Sequence, residues 1–439
     1  MTARGGALVL GSDYRGLGAV QSLGRHGIDV WIVREPGQRG VANFSRFVKR
    51  SLCWPSAALQ DRAQFLLDLA EREGLSGWSL FPTRDDVVTL CARYWDDLSR
   101  AFRMTSPPWD VVRYARDKRL TNELSIELGI PTPRTWNIDR DGAPPDDLFP
   151  AILKPAIKEQ TNALTLDKAW PVDGASSLRA RYAEAVQLLP ADEVMLQELI
   201  PGGGSTQLSF AALASQGDAI CSMVAHRVRQ FPMDFGRAST YVETVADSRV
   251  REIGTRVLGH LGFTGLVELE FKRDPVSLEP KLLDINPRVW GWHTLGRRAG
   301  MDFAFLAWRL VHGDIPARRE APPGIRWVWP AGDVPIAARE MFRGRLGIRE
   351  YVRSFRPPAD FATLALDDPL PGLAELPLQA MARLRGSSRL AAARAFAKGS
   401  VSGCSEDRDA GRRCQENQGR RITQMARLSA AAFGEGGRQ

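Results

Sequence analysis

The stretches GLVELEF at 265–271 and LLDINPR at 282–288 decide how the rest of this 439-residue chain is read. Each alternates apolar and polar side chains with period two, as a strand with one buried face does. Glu268 and Glu270 then share a face, as do Asp284 and Asn286 on the neighbouring strand. If the two strands pair as a hairpin, Glu270, Asp284 and Asn286 converge. Two carboxylates and an amide oxygen form a hard-oxygen set suited to magnesium, which keeps some waters and takes other ligands from nucleotide phosphates. Arg288 continues the same face, where a guanidinium can hold a phosphoryl oxygen or a developing oxyanion. The bland alternative is a solvated hairpin. Its flanks are otherwise strongly apolar, and acids facing a core need a counter-charge.

Two further segments lie upstream. In AILKP at 151–155, Lys154 sits amid apolar residues and needs an anionic partner, either a nucleotide phosphate or a salt-bridging carboxylate. VMLQELIPGGG at 194–204 reads as an edge strand running into glycines. Its backbone from Gln197 through Glu198 and Leu199 to Ile200 can read an adenine edge, or the segment is simply a strand ending in a turn.

Before these segments, ALVLG at 7–11, a helix to about Gly24 and DVWIV at 29–33 form a βαβ opening. An amphipathic segment at 60–73, a strand SLFPT at 79–83 and a helix opening with Asp85 and Asp86 extend it into a parallel α/β domain over 1–108, which ends at Pro107-Pro108. One helix is expected from Val111 to Leu128, stopped by Gly129 and IPTP. The short strands that follow predict a mostly antiparallel α+β domain over 109–325. Residues 326–397 read as a C-terminal extension with helix-like stretches at 333–345 and 376–397. The segment 398–439, rich in Gly, Ser, Arg and Gln, reads as a disordered basic tail.

Charge and composition narrow the function classes. Of the net charge of +8, the segment from Arg383 to Gln439 supplies +7, with twelve Arg or Lys against five Asp or Glu. A globular nucleic-acid binder carries its basic stripe on the folded part, so no specific nucleic acid is expected. Five scattered cysteines at no metal-ligand spacing, and no leader peptide, imply a reduced, cytoplasmic location. No apolar run is long enough for a membrane span.

Other motifs lead less far. GSDYRGLG at 11–18 is not a dinucleotide fingerprint, and no acid ends the second strand, yet Arg15 at a helix N-terminus can receive an anion. There is no GxxxxGK[ST] loop. DFGRAST at 234–240 lacks the companion kinase motifs, and as a polar loop its Arg237 can cover a substrate. None of the five histidines has zinc-site spacing; His293, beside Trp290, is the better candidate for a pocket wall, the alternative being that these aromatics only pack.

In order and spacing, Lys118 on the entry helix, Lys154 in LKP, the linker QELIPG and the closing VELEF…LLDINPR resemble the ATP-grasp superfamily over about 111–325. GSDYRGLG and NPRVWGWHTLG are closest to carboxylate-amine ligase-like and D-aspartate ligase-like members. The resemblance implies an ATP-grasp fold, part α/β and part α+β, that binds ATP and Mg2+, with Mn2+ as an alternative. It implies small-molecule carboxylate and amine substrates joined by a ligase and leaves room for a homodimer; the alternatives are carboxylation, phosphorylation of the acceptor, or a non-catalytic nucleotide-binding interaction protein. Lys118 and Lys154 would contact the phosphates, and Glu198 to Ile200 would frame the adenine. Glu270, Asp284 and Asn286 would bind the metal, and Arg288 would face the transferred phosphoryl group. The loop after Lys154 lacks the family's glycines, so Asn162, Lys158 or Lys168 would substitute. The ribose acid is replaced by Ser205 or Gln207.

Overall fold

Apolar runs at the start of the chain fold into a five-stranded parallel sheet of β1 (Ala7–Leu10), β2 (Val30–Arg34), β3 (Val48–Cys53), β4 (Ser79–Pro82) and β5 (Arg103–Met104), in the order β3-β2-β1-β4-β5. The computed structural model describes residues 5–157, 162–202, 206–231, 236 and 238–381. Leu8, Leu10 and Val33 face one helical layer, and Val9, Val30 and Ile32 face the other, so this parallel sheet is covered on both sides. Strand β3 was not legible in the sequence. As an outer strand it carries VKRSLC, with Lys49, Arg50 and Ser51 exposed.

The helix expected from Val111 to Leu128 is two, Trp109–Arg116 and Lys118–Glu127. Asp117 interrupts it: its backbone is extended, its carboxylate caps the second helix at the Arg119 N–H, and it forms a β-bridge with Ile157. The break places Lys118 at a helix start, with its N–H donating to Ala156 O at 3.0 Å.

A small sheet follows, ordered β6-β9-β7-β8 from β6 (Thr135–Trp136), β7 (Ala151–Pro155), β8 (Trp170–Val172) and β9 (Val194–Glu198). Strand β9 lies between β6 and β7 and so is an interior strand, not the edge strand its sequence suggested.

The large sheet runs β14-β13-β10-β11-β12-β16-β17, with β15 beside β11. Its strands are β10 (Gln207–Ser215), β11 (Asp218–Phe231), β12 (Ala238–Thr244), β13 (Gly265–Arg273), β14 (Pro280–Asn286), β15 (Arg319–Glu320), β16 (Arg326–Val328) and β17 (Ala359–Phe361). Most neighbours are antiparallel, and β11–β15 and β16–β17 are parallel. Residues past 325 continue this sheet through β16 and β17.

The helix Pro330–Phe342 sends Asp333 to Arg229 of β11, with oxygens at 2.9 and 2.7 Å from the guanidinium. Further on, buried Asp368 accepts from Gln21, Ser45 and the Arg46 N–H, and so ties the C-terminal part to the first sheet's layer. Helical residues 370–381 come next. The remainder of the helix read at 376–397, and the basic tail, lie outside the described residues. Among the described residues no helix is long and apolar enough to cross a membrane.

Candidate functional site

Strands β13 and β14 pair antiparallel, with Glu268 opposite Asn286 and Glu270 opposite Asp284. Leu269, Phe271 and Ile285 enter the core on the reverse face. A bulge after Glu270 shifts the phase, so that Leu282 and not Leu283 fills the next core position. The Asn286 amide donates to Glu270 Oε1 at 2.8 Å.

The counter-charge that these buried acids require comes from Arg227 of β11. Its guanidinium reaches Glu268 Oε1 and Glu270 Oε1 at 2.7 Å each, and Glu270 Oε2 at 3.1 Å. Burial pushes the Glu270 carboxyl up, but Arg227, with Lys168 and the Asn286 hydrogen bond, outweighs it and brings it down to about 2. Ser209 Oγ and Trp292 Nε1 complete the shell of Glu268. Sequence reasoning missed Arg227, although HRVR at 226–229 puts two arginines two apart in an apolar strand, the same pattern that flagged Lys154.

Lys118 Nζ stands 2.9 Å from Asp284 Oδ2, so this lysine links the entry of the small sheet to the hairpin of the large one. Lys154 on β7 is buried, and its Nζ donates to Gln197 Oε1 of β9 at 2.7 Å. That partner is a neutral amide. Burial, reinforced by the nearby Lys118 charge and only partly opposed by Asp284, pushes the Lys154 ammonium down to about 7.

The adenine segment is more committed than its sequence suggested. Glu198 N donates to Arg134 O and Leu199 N to Pro150 O, while the Glu198 carboxylate accepts from Arg134 and Lys281. Ile200 is buried, and Gln207 turns to Glu270 Oε2 at 3.3 Å. Asn162 caps the helix Ala163–Asp167, and Lys168 donates to Gly236 O at 2.6 Å. Lys158, Ser205 and Arg237 lie outside the described residues.

Arg288 joins the hairpin to the first sheet's domain. Its Nε donates to Asp85 Oδ1 at 2.5 Å and its Nη2 to Asn286 Oδ1 at 3.2 Å. Burial would raise the Asp85 carboxyl, but Arg288, aided by Arg116 and Arg15, holds it well below the usual range. Arg15 pairs with Asp13 at 3.0 Å, and its buried Nε has no hydrogen-bond partner among the described residues. Two expected pocket-wall residues are core instead. Trp290 is 0% exposed and His293 1%, because the helix Tyr14–Arg25 seats directly on them: a Cβ on Gly18 would come 2.6 Å from the His293 ring.

The donor set of Glu270, Asp284 and the Asn286 amide is all oxygen, and Asp284 keeps about a third of its side chain open. Among the described residues no three His, Cys, Asp or Glu side chains group into a metal cage. Such a face fits a hard cation that takes its other ligands from phosphate and water.

No family model matches the chain, and no curated protein matches it in sequence. Solved structures do match in fold. An L-amino acid ligase from Bacillus licheniformis superposes with a TM-score of 0.53 at 15% identity, over 71% of this chain and 75% of that one. A biotin carboxylase from Campylobacter jejuni, solved with a β,γ-ATP ligand, gives 0.54 at 13%, over 74% and 75%. A phosphoribosylglycinamide synthetase from Anaerococcus prevotii gives 0.52 at 12%, over 71% and 76%. By its sheets, its hairpin and these likenesses, the chain has the ATP-grasp fold.

Proposed function

We propose that the protein is an ADP-forming carboxylate-amine ligase. It would transfer the γ-phosphoryl group of ATP to a carboxylate, and an amine would then displace phosphate from the acyl phosphate to form an amide. What supports the reading is the grouping around one hairpin: Lys118 reaches Asp284, Asn286 reaches Glu270 and Arg288 reaches Asn286, with Lys154 near enough to feel the charges of Lys118 and Asp284.

Phosphoryl transfer asks for positioning and charge neutralisation more than for covalent chemistry. Lys154, buried beside Gln197, offers its ammonium to the phosphates, which are the anion its site lacks. Lys118 supplies a second charge, with Asp284 setting its position. Glu270, Asp284 and Asn286 would hold magnesium, which supplies charge neutralisation across the phosphates. Arg288, oriented by Asp85 and Asn286, faces the transferred group and the oxyanion that forms when the amine attacks. The free thiols of Cys53, Cys91 and Cys221 accord with a cytoplasmic location.

Labelled oxygen decides the reaction class. With 18O in the acid's carboxylate, label should appear in the released phosphate, and hydroxylamine in place of the amine should yield the hydroxamate. Label in AMP with release of pyrophosphate would indicate adenylation, and label retained wholly in the acid would indicate phosphorylation of a hydroxyl. Either outcome overturns the proposal.

A further inference from the structure

At the carboxyl ends of β1 to β4 lies a cavity of about 1100 Å³, which the residues assigned to ATP do not line. The order β3-β2-β1-β4-β5 reverses direction between β1 and β4, and crevices outside such a reversal are where open α/β sheets bind ligands. A free amino acid leaves most of this volume empty, since cavities of roughly 300–1,000 Å³ enclose drug-sized molecules. Helical residues 370–381 contribute Leu378 and Met381 to the lining, so the C-terminal part of the chain shapes the cavity.

The lining has two characters. Val33, Trp54, Val87, Leu378 and Met381 make an apolar wall. The charges sort into those already neutralised and those left over. Asp13 is paired with Arg15, Arg62 grips Glu35 at 3.1 and 2.9 Å, and Arg84 is paired with Asp86 at 2.9 Å. Glu35, directly after β2, is likewise committed to Arg62 and is not a free acid for a ligand. Arg34 and Arg39 have no carboxylate partner among the described residues, and Arg34 donates only to the carbonyls of Glu35 and Gln38. Among the described residues, the cavity therefore keeps two guanidinium groups without a carboxylate partner, on Arg34 at the end of β2 and on Arg39 just after it. The lining also includes Asp13, the ion-pair partner of Arg15, and Arg84, the chain neighbour of the Asp85 that holds Arg288.

We propose that this cavity holds the body of the carboxylate substrate, an elongated acid with an apolar middle and a second anionic group, carboxylate or phosphate, held by Arg34 and Arg39 at the end remote from ATP. The proposal rests on the ligase reading for the direction of the substrate, with its reactive carboxylate toward Arg15 and Arg288. The chemistry of the cavity, two arginines without a carboxylate partner among the described residues beside an apolar wall, sets the class of ligand by itself.

Calorimetric titration of the full chain without ATP tests it. The probes are azelate and 8-phosphonooctanoate, with nonanoate and nonane-1,9-diamine as controls. At least one dianion should bind about tenfold or more tighter than nonanoate, and the diamine should give no binding heat. Arg34→Gln and Arg39→Glu should each weaken the dianion toward the nonanoate level. Arg39 is exposed and has no ion pair among the described residues, so its variant should fold normally. Lys154→Met should bind the dianion unchanged while losing ATP. Dianions binding no tighter than nonanoate, or an unaltered affinity in Arg39→Glu, would overturn the cavity assignment. Normal dianion binding without ATP consumption for any acid and amine pair would overturn the ligase reading and leave the cavity standing.

Discussion

The Lys154 ammonium rests 2.7 Å from the Gln197 amide oxygen, a neutral partner for a buried cation. Such a lysine holds its proton weakly until an anion arrives, and burial has already brought it down to about 7. ATP binding should therefore take up a proton. The bound ammonium regains a higher pKa beside phosphate, so affinity is full below pH 7 and declines above it. The apparent dissociation constant should rise roughly fivefold between pH 7 and pH 8. Titrations in two buffers of different ionisation enthalpy check this, and a flat profile would mean that Lys154 does not meet the phosphates.

The hairpin carries the second expectation. Glu270→Gln and Asn286→Ala change neither Leu269 nor Ile285, the pair that anchors β13 to β14 in the core. Both variants should retain their circular dichroism spectrum and lose ATP turnover by about 100-fold or more, the loss typical when a group stabilising transferred charge is removed. Turnover within a few-fold of the parent would remove these residues from the site.

How much of this was legible in the sequence depends on whether a partner lies nearby in the chain. The hairpin was readable because both strands show their alternation within one short segment, and Lys154 was readable because a lysine in an apolar strand is itself a signal. Arg227 was not, since its acids come 41 and 43 residues later and only the register of β10, β11 and β13 brings them together. Still longer separations hid the continuation of the large sheet past residue 325, where β16 pairs with β12, and the contact of Arg229 with Asp333 across 104 residues. Trp290 and His293 were misplaced because local sequence shows that aromatic residues follow the hairpin, whereas Gly18, far upstream, lets a helix close over them.

Arg288 spans the two parts of the molecule, and its fork is the feature that Arg288→Lys removes. Asp85 keeps about half of its side chain exposed and a lysine still sets a positive charge beside it, so the substitution should cost little stability. A lysine keeps the charge without the simultaneous hold on Asp85 and Asn286. The melting temperature should stay within a degree or two, while kcat falls about 100-fold with a smaller change in the KM for ATP. Equal losses in kcat and in ATP affinity would point to a nucleotide-binding role instead.

Arg227 is the residue whose loss should hurt the fold most. It is buried against two buried or nearly buried carboxylates, and removing one partner of such a cluster strands the others without counter-charge. Arg227→Met should cost about 3–5 kcal/mol in urea unfolding at pH 7. The pH dependence separates this from simple loss of packing. Glu270 titrates near 2 in the folded chain and near the ordinary glutamate value when unfolded, so its contribution is complete above about pH 5 and is lost as the pH falls toward 2. In the parent, stability should therefore drop steeply across that window. Without Arg227 the folded carboxyl loses the partner that depresses it, burial dominates, and Glu270 should titrate above its unfolded value. The slope of stability against pH between 3 and 5 should flatten or change sign in Arg227→Met, and the double variant Arg227→Met/Glu270→Gln should recover part of the loss at pH 7. A parallel downward shift of the whole curve, with no recovery in the double variant, would show that Arg227 acts by packing alone.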